Sequence, residues 1–286
     1  MIKNKILTTR KIGTLDIDPL LLQKDLKKAL NFQFNATYSE FISGTLGSCA
    51  LWNKSGLSDE TLVSHYDGCS KKTPYAKQLS YICSFVEKNF NIDELKLARI
   101  LNIKYNSVLI PHVDFLETER EFYRFHIPLQ TDEQCFNSEE STVYQMKVGE
   151  VWYINASRAH SAASFSNQDR LHLVLDFDSL QPIESITKFS LEAQGIPLQN
   201  TIQREKITEE TNKTIESFAS IINNYNFNDI FTILIKLHFT KEVSANDVFT
   251  FLFEIVNKSK NTSLIEKTKD MYLYYMKERE LSSLTS

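Results

Sequence analysis

The hydrophobic texture of the chain changes twice along its length. Residues 9–18, TRKIGTLDID, alternate apolar and polar positions as a half-buried strand does. Asp18-Pro19 then places a capping residue before a proline at the first helical position, and LLLQKDLKKAL follows with helical spacing. Thr73-Pro74 predicts a second helix start, leading into YAKQLSYICSFVEKNF, where Leu79, Ile82, Cys83, Val86 and Phe90 fall on one face. A stripe of that kind is a core-facing surface.

From about residue 95, short runs rich in β-branched and aromatic residues take over: ELKLARILNIKY, SVLIPHVDF, EFYRFHIPLQ, STVYQMK, EVWYINA, AASFS and RLHLVLDFD. Turn-like stretches (YNS, NSEES, KVGE, SNQD) separate them. Strands at that spacing, without helices between them, predict an antiparallel sandwich or barrel and not a βαβ sheet. Beyond Asp178 a connector with two prolines leads into EKITEETNKTIESFASIINNY, NDIFTILIKLHF, SANDVFTFLFEIVNK and SLIEKTKDMYLYYMKEREL, all helical in pattern. The chain thus divides into a mainly β part with N-terminal flanking helices, residues 1–180, and a helical part, residues 181–286. The helices are expected to cover one side of the β core. The aromatic positions Phe249, Phe251 and Phe253 could contribute a homodimer surface.

Composition changes this picture little. At 286 residues, with 42% apolar and 24% charged positions, the chain is an ordinary globular protein able to bury a sizeable core. A formal net charge of -4 gives no broad basic field, which argues against nucleic acid or an anionic membrane as partner. The basic N-terminus, MIKNKILTTRKIG, is followed by no apolar run of signal-peptide length, and no stretch reaches the length of a transmembrane helix. Cys49, Cys69, Cys83 and Cys135 form no CxxC pair, so reduced thiols in a cytoplasmic protein are expected.

Candidate chemistry sits in the β part. Of six histidines, His112 stands two residues before Asp114, a spacing that lets both side chains share one side of a strand edge. His160 follows Asp114 by 46 positions, just beyond EVWYINA. Two antiparallel strand ends brought together would give two imidazoles and a carboxylate on one face of a metal. That donor set suits Fe(II) with an open opposite face, while a catalytic zinc site remains chemically possible. HxD alone is weak evidence and recurs by chance. Arg170 strengthens it: ten residues after His160, it opens RLHLVLDFD, from which its guanidinium fork could take a carboxylate in the same cavity.

The order HxD…H…R, within HVDF, RFHIPL, VGEVWYINASRAHSA and RLHLVLDF, resembles the aspartyl/asparaginyl β-hydroxylase-like branch of 2-oxoglutarate oxygenases. Within it the chain is most similar to bacterial proline hydroxylases, the cis-3 type above all, which also carries a helical C-terminal extension. The resemblance implies a double-stranded β-helix (jelly-roll, cupin-like) core, Fe(II), 2-oxoglutarate as co-substrate, O2, and a free amino acid, L-proline, as substrate. His112, Asp114 and His160 match the family's iron ligands and Arg170 its 2-oxoglutarate arginine. His126 is placed near the iron-side carboxylate of 2-oxoglutarate, Arg124 toward the substrate carboxylate, and Arg99 as a second substrate residue. Tyr105 and Trp152 could line the pocket, although ordinary core packing is the better reading of each. One departure is Tyr105-Asn106, where many relatives turn through Pro-Gly; Asn tolerates the left-handed conformation, so the turn survives. Two alternatives stay open: a peptide- or carrier-bound substrate, and a non-catalytic cupin-like binding protein.

Overall fold

The computed structural model describes residues 8–279 apart from 117, 119, 120, 179, 181, 193 and 194. The expected first strand is β1 (Arg10–Thr14) and the Asp18-Pro19 signal starts α1 (Pro19–Ala29). The Asp18 carboxylate accepts from the backbone N–H groups of Leu20 and Leu21 at 2.9 and 3.0 Å. The signal at Thr73 starts only a short turn: its hydroxyl accepts from the Ala76 N–H at 3.3 Å while donating to the Ala50 carbonyl at 2.7 Å. The helix that follows, α2 (Ser80–Asn89), begins only after a turn at Ala76–Gln78. Its first N–H groups, those of Tyr81 and Ile82, donate to Asp25 of α1 at 2.9 and 3.1 Å. A side chain 56 residues away does the capping, which no local pattern announces. The stripe from Leu79 to Phe90 is buried as expected.

Three more described strands precede residue 95: β2 (Ile42–Ser43), β3 (Leu46–Asn53) and β4 (Lys71–Lys72). Of these β3, LGSCALWN, is buried at every position, and its small residues hide it from a search for β-branched runs. Gly47 is small for a reason: a Cβ there would lie 2.5 Å from the Phe34 side chain. Eight more strands follow: β5 (Leu95–Ile103), β6 (Ser107–Leu109), β7 (Phe122–Gln130), β8 (Cys135–Glu139), β9 (Thr142–Tyr144), β10 (Glu150–Ile154), β11 (His160–Ser164) and β12 (Arg170–Asp178). The stretch NSEES, expected as a turn, belongs mostly to β8; Glu140 alone takes a left-handed φ of 52°. Asn106 takes φ 55° between β5 and β6, as its residue type allows.

The strands form two antiparallel sheets, one in the order β1-β10-β7-β12-β5-β3-β4 and one in the order β2-β6-β11-β8-β9. Alternation along β12 sets the layers. Leu171, Leu173, Leu175 and Phe177 join the core beneath α1 and α2, while Arg170, His172 and Asp176 take the other parity and face the second sheet. Phe125, Ile127 and Leu129 of β7 share that core, which leaves Arg124 and His126 on the inner side. Burying each such Leu, Ile or Phe side chain stabilises the fold by about 1.5–3 kcal/mol.

Helices α3 (Ile183–Ile186), α4 (Glu209–Ser217), α5 (Phe227–Thr240), α6 (Ala245–Ser259) and α7 (Thr262–Met276) complete the chain. Residues of α4 to α7 pack on the outer face of the five-stranded sheet through Val108, Ile110, Val143 and Ala163. Ser244 and Asp247 form a reciprocal capping box at the start of α6. Phe249 is 1% exposed and packs 5.4 Å from Phe231 inside this core, so it offers no dimer surface. The expected last turn, at residues 280–281, and the basic residues 1–7 lie outside the described residues. All four cysteines are free thiols, and no described helix is long and apolar enough to cross a membrane.

Candidate active site

After β6 the chain leaves its sheet, and His112 re-pairs as a single antiparallel bridge with His160, the first residue of β11. Each histidine N–H donates to the other's carbonyl, at 3.0 and 2.9 Å, and the rings lie 4.3 Å apart. Two antiparallel segments do meet here, although His160 opens a strand instead of trailing the one before it. The Asp114 N–H donates to the Ala156 carbonyl at 2.7 Å, which fixes its carboxylate beside both rings. Asp114 Oδ1 lies 3.4 Å from His112 Nε2, and Oδ2 lies 3.7 Å from His160 Nε2. One donor atom from each residue falls within 4.8 Å of the others.

The backbone also sets which imidazole nitrogen is offered. His112 Nδ1 sits 2.7 Å from the Ile110 carbonyl and His160 Nδ1 sits 2.9 Å from the Arg158 carbonyl. A carbonyl only accepts, so each Nδ1 carries the proton and each Nε2 keeps its lone pair. Burial, with His112 alongside, pulls His160 down to about 4, so its ring is neutral at pH 7. Burial alone would raise the Asp114 carboxyl, but the Arg124 guanidinium and the two imidazoles outweigh it and hold it well below the usual carboxylate range. Two imidazole nitrogens and one ionised oxygen, each oriented by a second contact, fit a divalent ion such as Fe(II).

The seven-stranded sheet supplies the facing wall. Val174 of β12 pairs with Arg99 of β5 on one side and His126 of β7 on the other, and Asp176 pairs with Arg124. Arg124 donates through Nε to Asp176 at 2.6 Å and through Nη1 to Asp114, with its guanidinium 4.9 Å above the Phe115 ring. Phe115 takes a left-handed φ of 63°, which costs a non-glycine residue about 1–2 kcal/mol. Arg99 donates to the Tyr38 hydroxyl at 2.6 Å and to the Thr61 carbonyl at 2.9 Å, and lies 3.3 Å from Asp176. Asp176, fully buried, therefore anchors both arginines.

Arg170 differs from them. Its Nη2 donates to Asn137 of β8 at 2.6 Å, its Nε has no hydrogen-bond partner, and no described carboxylate pairs with it. Burial at 3% exposure pushes it down to about 10, the direction expected of a cation without a counter-charge. His126 Nδ1 and His172 Nε2 are likewise buried without partners, and burial beside the arginines keeps both rings neutral.

Between the walls lies a cavity of about 670 Å3, onto which His112, Asp114, His160, Arg99, Arg124, His126 and Arg170 all open. Tyr105 and Trp152 do not line it. Tyr105 is 64% exposed on the β5–β6 turn, and Trp152 is fully buried, stacked on Tyr144 at 5.1 Å and donating to Glu150 at 2.9 Å. His172 faces inward but stands behind the lining. Asp176, Asn137, Tyr38 and Arg279 escaped the reading of the sequence. The parity of Arg170 and Asp176 along β12 was a usable signal for the first; the other three join the site only through tertiary contacts.

Comparison with known proteins places this geometry. Residues 21–179 match the model of the aspartyl/asparaginyl β-hydroxylase family and residues 184–283 that of the L-proline 3-hydroxylase C-terminal region. The L-proline cis-4-hydroxylase of Rhizobium meliloti (strain 1021) is 32% identical, over 96% of this chain and 98% of that protein. From a Streptomyces species, L-proline cis-3-hydroxylase 2 is 30% identical over 96% of this chain and 98% of its own, and L-proline cis-3-hydroxylase 1 is 28% identical over 90% and 91%. A model match over more than half its length, joined to a relative at 32% identity across nearly all of it, shows that the chain is an oxygenase of the aspartyl/asparaginyl β-hydroxylase family.

Proposed function

We propose that the chain hydroxylates free L-proline on its cis face, using Fe(II), 2-oxoglutarate and O2. The observation that carries this reading is Arg170, a buried cation with no carboxylate partner, facing the His112–Asp114–His160 donor set across one cavity. In this reading residues 1–180 form the oxygenase domain and 181–286 a helical domain laid over the five-stranded sheet. The family matches, ending at 179 and beginning at 184, support that division.

His112 and His160 would hold the metal through Nε2 and Asp114 through a carboxylate oxygen. Held there, iron would supply, with 2-oxoglutarate and O2, the oxidising power for an unactivated C–H, so that one oxygen would enter product and the other succinate with loss of CO2. The protein's own task is placement. Arg170, steadied by Asn137, would take the distal carboxylate of 2-oxoglutarate, and neutral His126 adds no competing charge beside it. Arg124 and Arg99, spread by Asp176, would hold the carboxylate of proline. Four arginines (99, 124, 170 and 279) on the cavity wall outnumber Asp114 there, so the site favours anions. Arg99, Arg124 and Arg170 are 2%, 8% and 3% exposed, a depth that suits a free amino acid better than a residue within a chain. Misplacing the reacting carbon by about 1 Å would cost on the order of a hundredfold in rate.

The resemblance of the sequence and the C-terminal match favour carbon 3 as the position attacked; the Rhizobium relative is a 4-hydroxylase, which makes carbon 4 the competing reading. The test is succinate formation by anaerobically reconstituted protein across a panel of free amino acids, with the hydroxyproline isomers separated against standards. L-proline-dependent succinate with cis-3-hydroxyproline is expected. A cis-4 product would correct the position alone. Metal and 2-oxoglutarate binding without stimulation by any free amino acid would move the substrate to a peptide- or carrier-bound residue. Failure to bind either would overturn the assignment of the site.

A further inference from the structure

The residue between the two proposed metal ligands of the HxD segment is held by the far end of the chain. The Val113 N–H donates to the carbonyl of Tyr275 in α7 at 2.8 Å, and the Val113 carbonyl accepts from Nη2 of Arg279 at 2.9 Å. Both backbone polar groups of Val113, the residue between His112 and Asp114, are thus bonded to residues more than 160 positions later in sequence. The Arg279 guanidinium is itself confined. It lies 4.7 Å over the Phe41 ring and 5.1 Å over the Tyr274 ring, at 6% exposure, and opens onto the cavity. Phe41 in turn packs 4.8 Å from the His112 ring, and the Tyr275 hydroxyl donates to the Glu40 carbonyl at 2.6 Å, one residue before Phe41.

We infer that Arg279 is a positioning residue for the metal site: with Tyr275 it clamps Val113, and so sets where His112 and Asp114 present their donor atoms. The physical case is that β6 ends at Leu109, three residues before His112, so no continuous ladder fixes the His112–Asp114 segment. Its order comes from the bridge to His160 and the Asp114–Ala156 hydrogen bond on one side and from the end of α7 on the other. Groups that orient metal ligands without touching the metal typically alter metal affinity by about 10–100-fold when removed. An arginine suits the task because its planar fork stacks on the two rings while one N–H reaches the carbonyl. The helical region is then more than a cover for the sheet; it closes the metal site.

This inference rests on the reading of His112, Asp114 and His160 as metal ligands, and the experiment separates the two. Mn(II) alone is titrated by calorimetry into the full-length wild type, His160→Ala, Arg279→Met, Arg279→Lys and Tyr274→Leu, and the thermal midpoint of each metal-free protein is recorded. Arg279→Met keeps the apolar stem between the rings but loses the donor. It is expected to weaken Mn(II) binding about 10–100-fold while the metal-free midpoint stays near wild type. Arg279→Lys, which keeps charge and a donor, is expected to restore part of the loss. Tyr274→Leu, which frees the guanidinium, should shift affinity in the same direction and carries the test should Arg279→Met fail to fold. Wild-type affinity in Arg279→Met, or in Tyr274→Leu where that variant must decide, with binding abolished in His160→Ala, would overturn the clamp alone. Unchanged binding in His160→Ala would overturn the metal reading and the clamp with it.

Discussion

Arg124 donates through Nε to Asp176 at 2.6 Å, from the residue directly opposite it in the β7–β12 pairing. Asp176 is fully buried and also lies 3.3 Å from Arg99, so one carboxylate orients two of the arginines on the cavity wall. Removing one partner of a buried charge cluster leaves uncompensated charge behind and costs about 3–5 kcal/mol. Asp176→Ala is therefore expected to lower the unfolding free energy by about that amount in urea titration. Asp176→Asn, which keeps an acceptor and the volume, should recover part of it. A loss below about 1 kcal/mol for the alanine variant would mean that the cluster relaxes or hydrates when its anion is removed.

Arg170 calls for the opposite expectation. No described carboxylate offsets its buried charge, so in the ligand-free fold the Asn137 hydrogen bond is set against the full cost of burying a cation. Arg170→Met is expected to melt at or above the wild-type midpoint. Truncating the partner of a desolvated carboxylate costs about 2–5 kcal/mol, so the KM for 2-oxoglutarate should rise about thirtyfold or more. A variant that melts much lower while keeping a normal KM would make Arg170 a structural residue.

How far the site was legible in the sequence follows from the range of each contact. Arg170, Asp176, Arg124 and His126 lie on long strands whose alternation can be read from residues alone. His112 and His160 meet through one bridge that spacing only suggested. β3 was lost because Gly47, Ser48, Cys49 and Ala50 lack strand-forming bulk, although tertiary burial makes that segment a strand. The start of α2 was misjudged because its cap, Asp25, belongs to another helix. Arg279 left no trace in the pattern, since its partners are Val113 and Phe41.

Tyr105 tests the same lesson from the other side. The sequence offered it as a pocket-lining or core aromatic, yet it stands 64% exposed on a turn outside the cavity. Surface substitutions of this kind shift free energies by about 0.5 kcal/mol or less, so Tyr105→Ala should leave kcat and both KM values within about twofold. A tenfold rise in the KM for the amino acid would instead show that the β5–β6 turn folds over the site once substrate is bound.

His238 supplies a pH test of the helical region away from the cavity. It is fully buried on α5, its Nδ1 lies 2.7 Å from the Val243 carbonyl, and its Nε2 has no partner. Burial, with Arg204 nearby, pulls it down to about 4 from an ordinary 6.5. The folded state therefore resists the proton that the unfolded chain accepts. Stability is complete above pH 6.5 and is lost as the pH falls from there toward 4. Between pH 7 and pH 5 this one group should remove about 2 kcal/mol. His238→Asn keeps a donor toward Val243 but cannot titrate, so its unfolding free energy should fall less over that interval, and the difference from wild type isolates the histidine. Parallel pH profiles for the two proteins would mean that acid opens the α5–α6 packing by another group before His238 takes up its proton.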